Sequence, residues 1–494
     1  MPSIAVIRPK LETVFAKTVL TPGQSVLVAR LQRFLDNPDA RVFLLKGYAG
    51  TGKTFLMKGL IRHLKDDLHR NVVLMAPTGR AAKVLSARTG EHASTMHSRQ
   101  YGKGDDNEDA DEFRLVSVLT VNTDDADTVY VVDESSMVSD VDGGDEFLRF
   151  GSGQLLSDFV TYFRDCEGVN QRKILFVGDA AQLPPVRMRV SPALDAVYLR
   201  EQFNLPSEEF ELTDIVRQER GSGIVSTASG IRDSIRRDDF RRLTFDVGKG
   251  DVVRVNAADI PRLYLESMGG RLHRRSVMIA HTNVRVRELN RAFRALYFPG
   301  EETICKGDKV MVLLNAWIGG RFLCNGDFGQ VLEASPTVEI RKVSLRRKAG
   351  APSDQPVELI FRRTVIRFRD EKGELFAVDG MILENLLESE EGAENNRLRQ
   401  ALYADFRMRN PQLKRGTKEW NEEWAADKYV NALRVRYGYA VTCHKAQGGE
   451  WENVFVDCAW KARRHSSSYF RWLYTAVTRA TSRLYLASAE DLRF

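Results

Sequence analysis

The chain has 494 residues, of which 43% are hydrophobic and 28% charged, with a formal net charge of +6. These figures fit an ordinary globular protein of roughly three domains and exclude disordered and collagen-like classes. The mild basic excess points only weakly to a polyanionic partner, and five scattered cysteines (Cys166, Cys305, Cys324, Cys443, Cys458) without a C-x-x-C pair suggest neither a zinc site nor a disulfide frame.

The N-terminal stretch MPSIAVIRPKLETVF has no leader-like apolar core, and no run approaches the ~18 residues of a membrane span. A cytosolic protein with reduced thiols and no membrane partner is expected. The first chemistry-bearing element begins at Val42. VFLLK (Val42 to Lys46) reads as a buried strand and FLMKGLIRHL (Phe55 to Leu64) as an amphipathic helix. Between them GYAGTGKT, Gly47 to Thr54, fits the phosphate-loop pattern G-x-x-x-x-G-K-[ST]. Gly47, Gly50 and Gly52, with Thr51 among them, let backbone N–H groups face phosphate oxygens beside the positive end of a helix. Lys53 is expected to reach the outer phosphates and Thr54 to hold Mg2+. The chain is expected to bind a nucleoside triphosphate.

VVLMAP (Val72 to Pro77), VYVVDE (Val129 to Glu134) and ILFVGD (Ile174 to Asp179) follow as strands of a parallel sheet, each ending on polar residues. Ligands on such sheets sit at the carboxyl ends of strands, so these clusters should share one crevice. Asp133 would hold magnesium and Glu134 would orient or deprotonate the attacking water. Asp179 and Gln182, in GDAAQLPPV, would stand beside the γ-phosphate, where Gln182 senses it. Between the second and third strands lies an acidic interlude, GKGDDNEDADEFRLVSVLTVNTDDAD, with the look of a hairpin or small lobe.

A second α/β set begins after Leu205, with SVMIAHTN leading into VRELNRAFRALY, and NVFVD and RLYLAS far downstream. An insertion from about Ile304 to Arg436 separates its parts. The first half is rich in β-formers and glycine turns, which suggests a small barrel. The second half, from about Met381, is charged and helical in character.

The ordered motifs resemble those of superfamily 1 helicases of the 5′→3′ branch, the Dda- and RecD-like enzymes. In that family's pattern Gln24, in LTPGQ, contacts adenine. APTGRAA and STMH match strand-tracking motifs, which implies DNA contacts from Thr78, Gly79, Arg80, Thr95 and His97. LTDIVRQ supplies Arg217 and LYTAVTRA supplies Arg479, both placed in the second lobe and both implied to stabilise the γ-phosphate. YAVTCHKAQGGEWENVFVD implies DNA contacts from Thr442, His444 and Lys445 and a ribose contact from Glu450. Asn283 and Asn325 are further implied contacts, and Trp317, Phe322, Phe328 and Tyr101 are aromatics available for base stacking.

The resemblance implies an α/β fold with two RecA-like P-loop NTPase lobes, an inserted β-hairpin and an inserted SH3-like β-barrel. Lobe 1 would span 1–204, with a pin-like insertion at about 101–128. Lobe 2 would span 205–303 and 437–494, with the barrel and helical insertion at 304–436. It further implies an ATP- and Mg2+-dependent helicase acting on single-stranded DNA and single/double-strand junctions. Such an enzyme would act as a monomer beside single-strand-binding or replication and repair proteins, associated with the nucleoid when bound to DNA. Two other readings stay open: an ATP-gated nucleic-acid clamp, and a helicase subunit of a nuclease complex, for which Asp370, Glu371, Lys372 and Glu374 form a poor metal cluster. The acidic residues near 105–112, with Phe113, are either a strand-separating wedge or a solvated loop. Arg341, Lys342, Arg346, Arg347 and Lys348 are either a phosphate patch or an exposed loop.

Overall fold

A computed structural model describes residues 9–103, 115–142, 148–166, 170–214, 216, 221–269, 275–318, 321–345, 356–370, 373–389, 393–459 and 465–487. These fall into two compact units. The first contains the described residues within 1–105, 116–242 and 465–478, and the second those within 106–115, 243–464 and 479–494.

The first unit is built on a six-stranded sheet in the order Ala93–Thr95, Val72–Ala76, Val129–Val132, Lys173–Gly178, Val42–Gly47, Ser207–Leu212. Every neighbouring pair is parallel. Its central strands are buried along their length because each supplies two cores. Phe43, Leu45, Val129, Val131, Leu175 and Val177 face helices Pro22–Asp36, Lys53–Arg62 and Gly79–Thr89. Val42, Leu44, Tyr130, Val132, Ile174 and Phe176 face the opposite core, with helices Leu155–Arg164 and Ala196–Phe203. Alternate residues thus enter different layers, which is why the strands read as continuous apolar runs.

The sixth strand was not anticipated. Residue 205 was expected to open the second lobe, yet Ser207–Leu212 pairs with the strand leading into the phosphate loop, and residues to 242 cluster with the first unit. An edge strand keeps charged side chains on its wet side, and Glu208, Glu209 and Glu211 hid this one. In the interlude, Tyr101–Lys103 pairs antiparallel with Leu115–Leu119, and Leu148–Phe150 joins them in a small sheet. Phe113 and the acidic run at 105–112 lie outside the described residues.

The second unit holds a five-stranded sheet in the order Val252–Val255, Ala480–Ala487, Trp451–Asp457, Ser276–Ala280, Ala440–Thr442, again parallel throughout. Beside it lies an antiparallel sheet of Glu339–Val343, Val357–Arg369, Phe328–Ala334, Lys309–Val312 and Val435–Tyr437, with Leu375–Leu383 paired to Val357–Arg369. One core joins the two sheets through Met278, Phe455, Val310, Ile366 and Phe368. Two helices, Ala393–Arg409 and Lys418–Ala426, close on a smaller aromatic cluster of Phe406, Trp420 and Val430. The described basic residues near 341 sit on a strand rather than a loop. Arg341 pairs with Asp405 at 3.4 Å and lies 3.9 Å over the Tyr429 ring, and Lys342 pairs with Glu358 at 2.9 Å. Arg346, Arg347 and Lys348 lie outside the described residues, as do Glu371 and Lys372. Asp370 closes a turn, accepting the Glu374 N–H at 2.9 Å.

Candidate nucleotide site and nucleic-acid face

In the first unit the strand Val42–Gly47 passes into the helix Lys53–Arg62 through five residues, and the turn is made by Gly50 (φ 81°) and Gly52 (φ 88°). Gly52 is the helix N-cap and provides no side chain to consume the first helical N–H groups, so they stay open to an anion. A Cβ on Gly52 would lie 2.6 Å from Gln24 Nε2. Lys53 folds over the loop, donating to the carbonyls of Gly47 at 2.6 Å and Tyr48 at 2.9 Å. Thr51 is buried and its hydroxyl donates to the Tyr48 carbonyl at 2.9 Å.

Gln24 braces this loop. Its Oε1 accepts the Thr21 N–H at 3.1 Å, completing a capping box at the start of helix Pro22–Asp36, while its Nε2 donates to the Thr51 carbonyl at 3.1 Å. The segment before Arg217 also belongs here, contrary to the expected placement of that motif in the second lobe. Val216 donates its N–H to the Gly50 carbonyl at 2.9 Å, and Asp214 accepts the Gly23 N–H at 3.1 Å. Arg217 itself lies outside the described residues.

Asp133 and Glu134 follow the strand Val129–Val132. Glu134 stands at φ 52°, a left-handed conformation uncommon for a residue with a side chain. Its N–H donates to Asp133 Oδ1 at 2.9 Å. Burial, then repulsion from Glu134, pushes the Asp133 carboxyl up to about 6, and nearby Lys53 opposes the shift. The adjacent Asp133 and Glu134 carboxyls, with Lys53 near enough to act on Asp133, offer hard oxygen donors, the kind that Mg2+ takes. A divalent cation would relieve the repulsion that raises Asp133, so the residues fit that ion.

Asp179 is 1% exposed, and burial raises its carboxyl while the Lys53 charge and the Tyr474 hydroxyl favour the ionised form. Gln182 beside it is also buried, and its Oε1 finds no hydrogen-bond partner among the described residues. An unpaired buried acceptor costs about 1–3 kcal/mol, a cost that a bound water or ligand donor removes. Lys53 thus acts on both Asp133 and Asp179, and the four anticipated polar clusters do follow the carboxyl ends of one sheet.

The strand-tracking candidates follow the same edge. Thr78 caps helix Gly79–Thr89 by accepting the Ala81 N–H at 3.2 Å, and Gly79 is buried behind it while Arg80 is half-buried. Thr95 caps the next short helix, accepting the Ser98 N–H at 3.0 Å. His97 packs against Tyr101 and Phe150, with ring centroids 5.7 and 4.9 Å away, and burial lowers its pKa. A neutral imidazole at physiological pH follows.

The second unit divides its candidates between two sheet edges. Thr442, His444 and Lys445 follow the carboxyl end of Ala440–Thr442, and His281 and Asn283 follow that of Ser276–Ala280. Burial, then the His444 charge, lowers His281; burial, then Lys445, lowers His444. Lys445 donates to Asn325 Oδ1 at 3.0 Å, and Asn283 Oδ1 accepts from Arg436 at 3.4 Å. A buried residue missed in the sequence, Asn290, sets this corner: its Oδ1 accepts the N–H groups of Tyr439 at 3.1 Å and Ala440 at 2.8 Å. Its signal was faint, one amide in the middle of a helix of mostly charged and apolar residues.

Glu450 and Arg479 instead precede the amino ends of Trp451–Asp457 and Ala480–Ala487. Arg479 is 4% exposed; its Nη1 donates to the Gly449 carbonyl at 3.3 Å, and its own carbonyl accepts the Trp451 N–H at 2.9 Å. The glycine pair before Glu450 therefore carries the arginine.

Residues 19–149 match the AAA domain family, and residues 437–487 match the UvrD-like helicase C-terminal domain family. The first match contains the phosphate loop and the Asp133–Glu134 pair, and the second contains Thr442, Glu450 and Arg479. The chain is similar to the ATP-dependent DNA helicase Dda of enterobacteria phage T4, 38% identical over 16% of this chain and 18% of that one. It is also similar to the ATP-dependent RecD2 DNA helicase of Deinococcus radiodurans, 30% identical over 39% of this chain and 22% of that one. Among solved structures, Pif1 from Bacteroides bound to single-stranded DNA aligns at 16% identity over 95% of this chain and 92% of that one, with a TM-score of 0.45. The chain spans less than half the length of the curated relatives it matches.

Proposed function

We propose that this chain is an ATP-hydrolysing DNA helicase of the superfamily 1 type, moving 5′→3′ on single-stranded DNA and opening duplex at junctions. The observation that carries the reading is the open glycine cradle ahead of Lys53, whose charge acts on both Asp133 and Asp179 at the carboxyl ends of neighbouring strands. The matched relatives, an ATP-dependent Dda helicase and an ATP-dependent RecD2 helicase, support the same class.

In this reading the loop from Gly47 to Thr54 binds the phosphates of ATP, and Lys53 neutralises the β- and γ-oxygens. Thr54 and Asp133 would hold Mg2+, which supplies charge neutralisation across those oxygens. Glu134, turned by its left-handed backbone, receives a proton from the attacking water, and Gln182 offers its free Oε1 to that water. Negative charge spreading over the departing phosphoryl group calls for guanidinium groups, the role of Arg217 and Arg479. That attraction lasts only while the γ-phosphate remains, so binding and hydrolysis define two states of grip. Thr78, Gly79, Arg80, Thr95 and His97 in the first unit, and Asn283, Thr442, His444 and Lys445 in the second, would hold the strand through its backbone. Gln24 and Glu450 would hold the nucleoside. In this reading the antiparallel sheet at 309–383 would serve as the SH3-like barrel, and the Tyr101–Lys103 and Leu115–Leu119 pair as the pin. A monomer is the expected working form.

The test is ATP hydrolysis with and without single-stranded DNA. Wild type should be stimulated, and Lys53→Ala should lose at least ~100-fold in kcat; equal rates would remove the motor. Duplexes with a 5′ or a 3′ tail then decide direction, and opening of the 3′-tailed duplex alone would reverse the polarity assignment.

A further inference from the structure

The helix Ser467–Val477 lies between segments of the second unit in sequence, yet it clusters with the first. Three of its side chains, Arg471, Tyr474 and Thr475, hydrogen-bond to one turn, the residues 179–183 that carry Gln182. The Tyr474 hydroxyl donates to Asp179 Oδ2 at 2.8 Å, and both residues are at most 2% exposed. The other oxygen, Asp179 Oδ1, accepts the Ala181 N–H at 3.0 Å, and the Asp179 carbonyl accepts the Gln182 N–H at 3.1 Å. One residue along the helix, Thr475 Oγ1 accepts the Leu183 N–H at 2.9 Å while donating to the Arg471 carbonyl at 2.7 Å. The Arg471 guanidinium donates to the Ala180 carbonyl.

Three side chains of one helix therefore hold the turn from both ends, with Gln182 between them. We propose that Tyr474 is a positioning residue for Gln182, acting through Asp179. The inference rests on the ATPase reading above. Removing the phenolic hydrogen bond leaves a buried carboxylate oxygen without its donor, and the turn relaxes by rotating Asp179, which displaces the Gln182 side chain. Arg479 follows the helix at a distance of two residues. A helix that positions the γ-phosphate sensor is thus continuous in sequence with the arginine proposed for the same phosphate.

Tyr474→Phe removes only the oxygen. Steady-state hydrolysis with saturating single-stranded DNA should show kcat lowered about tenfold, with the KM for ATP and the affinity for DNA within twofold. Gln182→Ala should lower kcat at least as much, and the double variant should fall no further than Gln182→Ala alone, because both act through one group. Additive losses, or a kcat per folded molecule equal to wild type, would overturn the role of Tyr474. Should Tyr474→Phe melt below the assay temperature, Thr475→Val carries the same test on the other end of the turn. Thr475→Ser retains the oxygen and should restore kcat to within twofold of wild type. A wild-type protein with no DNA-stimulated hydrolysis would instead overturn the ATPase reading itself.

Discussion

The two parallel sheets use their edges differently. In the first unit the phosphate loop, Asp133, Asp179, Thr78 and Thr95 all follow carboxyl ends of strands, as ligand-binding groups on open α/β sheets do. In the second unit only Thr442, Asn283 and their neighbours follow that rule, while Glu450 and Arg479 stand at amino ends. The strand-to-helix turns explain the division. In the first unit five residues with two left-handed glycines separate strand from helix, and Gly52 leaves the helical N–H groups open. In the second, Ser276–Ala280 reaches helix Asn283–Tyr297 through two residues, and the Thr282 side chain accepts the Arg285 N–H at 3.1 Å. A capped helix end has spent the donors that a phosphate needs. The same architecture therefore leaves one helix end open after its strand and caps the other.

The largest expected effect tests what the second sheet contributes. Arg479→Ala should reduce DNA-stimulated kcat by ~10³-fold or more while ATP affinity stays within a few-fold, and Arg479→Lys should rescue little because a point charge cannot replace the planar fork. Retained turnover would place the phosphate chemistry in the first unit alone. Next comes Gly52→Ala, where a left-handed backbone adds about 1–2 kcal/mol of strain and the new methyl meets Gln24. ATP affinity by isothermal titration should drop about tenfold or more. The smallest effect belongs to Thr282→Ala, which uncaps the second helix and should cost about 1 kcal/mol in urea unfolding with ATP affinity unchanged. Loss of ATP binding from Thr282→Ala comparable to that from Gly52→Ala would break the contrast between the two turns.

Much of this was legible because it is local. The phosphate loop, the paired carboxylates and the continuous apolar strands are short-range patterns, and each appears where the residues put it. The strand Ser207–Leu212 escaped because Glu208, Glu209 and Glu211 interrupt the apolar signal that only Phe210 and Leu212 carry. Helix Ser467–Val477 escaped differently: it is apolar and buried nearly all round, and nothing in its pattern says which core it enters. Arg341 offered charge without context, and Asp405 with Tyr429 supplied that context from far along the chain.

Read alone, the amino-acid order carried a phosphate-loop pattern between a strand and a helix, and two α/β sets of which the second is interrupted by an insertion. Turn geometry and strand periodicity depend on neighbours a few residues apart, so they are written in the chain. Only tertiary packing decided that Gln24 braces the loop, that the segment before Arg217 touches Gly50, and that Tyr474 reaches Asp179 across some 295 residues. Those pairings depend on which surfaces bury each other, and no local pattern encodes the partner of a buried hydroxyl.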